Sequence, residues 1–164
     1  MKFLITGSVR SNRGPRLILT LALFSFLFFL FLHFVREAGS TGFLPTSVQN
    51  NLYAGPDTNL ALNAQAPPGF LMVLEDLHID LFLFALLALF VGSLLYQARA
   101  AESIKRLLIY LIFALPLAFI AARALAFFYE WAAYLVLPAA AGTYLCTVGT
   151  IVFVLWDLYR TRPA

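Results

Sequence analysis

The stretch "LILTLALFSFLFFLFLHFV", Leu17 to Val35, carries no formal charge and is almost wholly apolar. About 20 such residues cross a bilayer core of roughly 30 Å. A secretory leader has a shorter apolar core and a small-residue cleavage site, so this run reads as a retained anchor. The rest of the chain agrees. It is 62% hydrophobic and 12% charged, against about 25% charged in soluble domains. A water-soluble fold is excluded on that balance. Three further spans follow, at about 80–96, 107–128 and 133–156, the helix of the second opening earlier, after the breaker and start signal Pro67-Pro68-Gly69. Pro116 falls near the middle of the third, where a kink is expected. The expected fold is therefore all-α: a four-transmembrane-helix bundle forming one integral membrane domain.

Charge placement orients it. Lys2, Arg10, Arg13, Arg16, Arg99, Lys105, Arg106, Arg160 and Arg162 fall on one side, with Glu102 and Asp157. Arg36 and Arg123 fall on the other, with Glu37, Asp57, Glu75, Asp76, Asp80 and Glu130. The positive-inside rule puts the basic side, and both termini, in the cytoplasm of a bacterial inner membrane. The net charge of +3 then reflects topology and contact with anionic lipid, not a nucleic-acid surface. An outward loop of about residues 37–70, rich in Gly, Pro, Asn and Ser, joins the first two spans. Loops of that length are usually functional or disordered. Its Phe43, Leu44, Leu52, Tyr53 and Leu60 are candidates for docking a partner, the alternative being a surface loop that packs over the helix ends.

"VLEDLHIDLFLF", Val73 to Phe84, sets Glu75, Asp76, His78 and Asp80 at the entrance to the second span. At 1.5 Å per residue, His33, His78 and Arg123 all fall roughly 10–15 Å outward of their span centres. His33 and Glu37 share a helix face at i and i+4; so do Asp76 and Asp80, with Glu75 and His78 at i and i+3. Histidine with carboxylates suits a transition-metal ion, and His33, Glu37, Glu75, Asp76, His78 and Asp80 are the candidate ligands. A b-type haem held by His33 and His78, with Arg123 near a propionate, is a second reading. A quinone pocket walled by Phe127, Phe128, Tyr129 and Trp131 is a third. The bland alternative is an interfacial polar layer satisfied by water, headgroups or its own members, in which Arg123 snorkels or pairs with Asp80 or Glu130.

The middles of the spans read "LALFSFLFF", "FALLALFVG", "IFALPLAFI" and "AGTYLCTVG". Transporters normally leave charged or broken-helix signatures at that depth, so a self-contained pump is not expected. No nucleophile–base pair or catalytic motif is present. The single cysteine, Cys146, excludes an internal disulfide and reads as a small core side chain. Gly142, Thr143, Thr147, Gly149 and Thr150 would let another helix approach closely.

"LEDLHIDLFLFALLALFVGSLLYQ", "LIFALPLAFIAARALAFFYE" and "VFVLWDLYR" together resemble a class of small bacterial four-helix membrane proteins. The resemblance covers about residues 70–162. In that class a histidine opens the second span, here His78, and the genes often stand beside cytochrome c or other respiratory components. It implies a small subunit of a larger membrane assembly that handles electrons, with lipid and other membrane or periplasmic subunits as partners. The competing expectation is a structural or assembly factor without a cofactor.

Overall fold

A computed structural model describes residues 13–52 and 70–160. Tyr53, Asp57, Leu60 and the outermost basic residues Lys2, Arg10 and Arg162 lie outside the described residues. Four long helices run α1 (Arg13–Ser40), α3 (Phe70–Tyr96), α4 (Glu102–Phe128) and α5 (Ala133–Tyr159), with a short α2 (Pro45–Leu52) after α1. Each long helix has 27 or 28 residues. By helical rise that is roughly 40 Å, more than a bilayer core needs. All four are apolar enough to cross a membrane. Among the described residues there is no strand.

The buried positions recur every three or four residues, the pattern of helices packed along a narrow seam. On α5 the seam is Ala133, Val136, Ala140, Thr143, Thr147, Thr150, Val154 and Asp157. On α3 it is Val73, Leu77, Asp80, Phe84, Leu87, Val91 and Leu95. α4 packs most extensively on α5 and next on α3, and continues unbroken through Pro116. α1 is the outlier: it buries only Leu23, Leu30, His33 and Glu37.

The helix that carries the second span starts at Phe70, so Asp80 lies about 15 Å along it by helical rise. The segment between the first two spans is helical over Pro45–Leu52. Two residues past the end of α1, Gly42 has a φ of +74°, which suits a residue without Cβ, and its N–H returns to the Glu37 carbonyl at 2.8 Å. That turn sends α2 over the bundle end, where Val48 and Leu52 are buried beside Leu77, Phe119 and Val136.

Candidate functional site: a buried ionic cluster

The C-terminal part of α1, the N-terminal part of α3, the C-terminal part of α4 and the N-terminal part of α5 meet at the same end of the bundle. His33 and Glu37 lie on the α1 seam, Asp80 on that of α3, and Arg123 faces them from α4. All four are buried, Asp80 completely and Glu37 at 1% exposure. Arg123 Nη1 donates to Asp80 Oδ2 at 2.8 Å and stands 3.1 Å from Glu37 Oε2. One guanidinium nitrogen thus bridges two carboxylates. Arg36 adds a second cation, donating to Glu37 Oε1 at 3.1 Å. Its Nη2 also lies 3.5 Å from Asp80 Oδ1 and 3.8 Å from Asp76 Oδ2. The Phe119 ring sits 5.7 Å from the Arg123 guanidinium carbon, within cation–π range.

His33 completes the network. Its Nε2 is 3.1 Å from Asp80 Oδ1 and its Nδ1 is 2.7 Å from the Tyr144 hydroxyl. An ionised Asp80, already accepting from Arg123, can only accept, so Nε2 carries the proton. In neutral His33, Nδ1 then accepts from the Tyr144 O–H. A protonated His33 donates at both nitrogens and the hydroxyl turns round to accept, so either charge state keeps both hydrogen bonds. Phe84 packs edge-on to the imidazole at 5.1 Å. Phe34, Phe43 and Phe119 ring the tyrosine at 5.4, 6.1 and 6.3 Å.

With His33 neutral, Arg36 and Arg123 balance Glu37 and Asp80. That balance is what makes the burial tolerable, since an unpaired ion in such a setting costs several kcal/mol. Replacing Tyr144 by phenylalanine removes one hydrogen bond while leaving the aromatic packing. The expected loss is about 1 kcal/mol, read as a fall of a few degrees in the unfolding midpoint in detergent. A much larger fall would mean that the hydroxyl organises more than His33.

The expected ligand set divides. His33, Glu37 and Asp80 are brought together, each offering an atom within 4.8 Å of the others. Asp76 reaches the rim only through Arg36. Glu75 and His78 are exposed. His78 is two residues from Asp80, about 200° round the helix by its 3.6-residue turn, and so faces away from the seam. The His33–His78 pair required by the haem reading is not assembled, and both His33 nitrogens are already engaged. Arg123 pairs with Asp80, as one expectation held, but with Glu37 instead of Glu130, which is exposed. Of the residues expected to wall a quinone, Phe128, Tyr129 and Trp131 are exposed and Phe127 is half-buried.

Tyr144 and Arg36 belong to the cluster and carried no role in the sequence reading. Seam periodicity contains the missing signal: it admits Asp80, excludes His78, and places Tyr144 beside Thr143 and Thr147.

Residues 42–164, three quarters of the 164-residue chain, match a family described as a transmembrane helical domain. The chain belongs to this family. No curated protein and no solved structure matches it. The matched region contains α2 to α5, with Asp80, Arg123 and Tyr144, whereas α1, with His33, Arg36 and Glu37, precedes it.

Proposed function

We propose that this membrane protein is a non-catalytic subunit of a larger membrane assembly, and that the ionic cluster fastens α1 to the core formed by α2–α5. The observation that carries the reading is the makeup of the α1 seam. Half of its buried residues are polar, and both of these, His33 and Glu37, bind partners on other helices. By the positive-inside rule, the cluster faces the periplasm of a bacterial inner membrane. A place in an electron-transfer assembly rests on the resemblance of residues 70–162 alone.

Metal binding by His33, Glu37 and Asp80 is the second reading, favoured by their close ligand atoms. Against it, Arg123 Nη1 occupies the space between the two carboxylates. A divalent cation would bring two more positive charges to a balanced site.

Mild solubilisation from native membranes, followed by native electrophoresis and metal analysis, separates these readings. The expected result is co-migration with other polypeptides, no stoichiometric metal, and an unfolding midpoint unmoved by zinc, copper or chelator. One bound ion per chain, lost on chelation with a lower midpoint, would replace the fastening by a metal centre. Migration alone would end the subunit reading.

A further inference from the structure

At the opposite, basic end of the bundle, α3 and α4 part around a groove of about 390 Å³. Ala88, Leu89, Gly92, Ser93 and Tyr96 line it from α3, and Ile109 and Phe113 from α4. Gly92 makes the depression. A Cβ there would make only ordinary contact with Ile112 Cδ1 at 3.5 Å and Phe113 Cε2 at 3.8 Å, so absence of a side chain leaves room rather than relieving a clash. The groove opens outward: Leu89, Tyr96 and Phe113 are all exposed, and in a bilayer that face meets lipid.

Its upper rim is polar and cationic. Lys105 Nζ donates to the Tyr96 carbonyl at 3.2 Å, pairs with Glu102 at 2.6 Å, and lies 5.6 Å from the Tyr96 ring centroid. Gln97 lines the same end. Arg106, Ile109 and Phe113 stand at i, i+3 and i+7 on one face of α4, and helical side chains lean toward the N-terminus. Arg106 therefore projects from the groove toward the membrane surface, where its Nε donates to the Glu102 carbonyl at 3.4 Å. Arg99 is exposed in the adjoining turn.

We infer that this groove binds one anionic phospholipid, an acyl chain lying over Gly92 between Leu89 and Phe113 and the phosphate held by Arg99 and Arg106. An apolar slot at the end of the bundle that carries the exposed Arg99 and Arg106 complements a lipid with net negative charge, and basic recesses between helices on this side of a membrane are suited to anionic headgroups. The site does not depend on the role of the ionic cluster.

The test is native mass spectrometry of the full-length protein released from nanodiscs holding equal phosphatidylglycerol and phosphatidylcholine with identical acyl chains. The wild type is expected to retain one phosphatidylglycerol in clear preference. Arg99→Gln and Arg106→Gln should each reduce that preference about fivefold, and neither alters a buried side chain. Ser93→Trp, which fills the groove from its exposed rim, should abolish retention of both lipids with an unchanged unfolding midpoint. Equal retention of the two lipids by the wild type, a preference that survives the double arginine replacement, or retention untouched in Ser93→Trp would each overturn the site.

Discussion

Replacing Arg123 by leucine is expected to lower stability by about 3–5 kcal/mol, the usual cost of removing one member of a buried ion pair. The cause is what remains behind. Asp80 and Glu37 are almost wholly shielded, and Arg123 Nη1 is the cation they share. Without it, only Arg36 is left to face two buried carboxylates, and its own side chain is 43% exposed. For a chain of this length the loss corresponds to a fall in unfolding midpoint on the order of 10 °C. Arg123→Lys should recover only part, because a point ammonium cannot match a planar guanidinium between two acids. Combining Arg123→Met with Asp80→Leu and Glu37→Leu should recover much of the loss, since a buried ionic group can be exchanged for apolar packing at little net cost. Thermal unfolding in detergent reads all three. A single Arg123→Leu variant as stable as the wild type would show that the arginine merely snorkels.

The second large effect is expected at Asp80, and it is local. Asp80 accepts from His33 and Arg123 and stands near Arg36, so it ties α1 directly to α3 and α4. Asp80→Leu removes the acceptor for two buried donors at once, again a loss of about 3–5 kcal/mol. Because α1 is held by so few other interior residues, that loss should appear as undocking of α1 while the α3–α5 core stays packed. Spin labels at Ser25 and Val152, both exposed on α1 and α5, would report it after Cys146 is changed to alanine. A narrow distance distribution in the parent should broaden in Asp80→Leu. Asp80→Asn, which keeps shape and an acceptor but loses charge, should fall between them. Collapse of every helix together would place Asp80 in the general core, and an unaltered distribution would end the fastening idea.

Four apolar stretches, each long enough for a bilayer, dictated the helical fold from the sequence alone. A membrane interior leaves backbone polar groups no partner but their own helix. The same constraint on ionisable groups set His33, His78 and Arg123 at one height, and helical spacing added Glu37 and Asp80 to them. Height, however, says nothing of facing. His78 and Asp80 are neighbours in level and differ by more than half a turn in direction, so one is exposed while the other is buried. Tyr144 was hidden for a related reason: a neutral phenol among apolar residues marks no charge, and only packing against α1 sets its hydroxyl 2.7 Å from His33. Sequence thus determined the helices and the depth of the titratable groups, because burial of backbone and charge in lipid is a one-dimensional cost along the chain. Which acids, bases and cations meet was decided by tertiary structure, because pairing depends on how the helices rotate and approach one another.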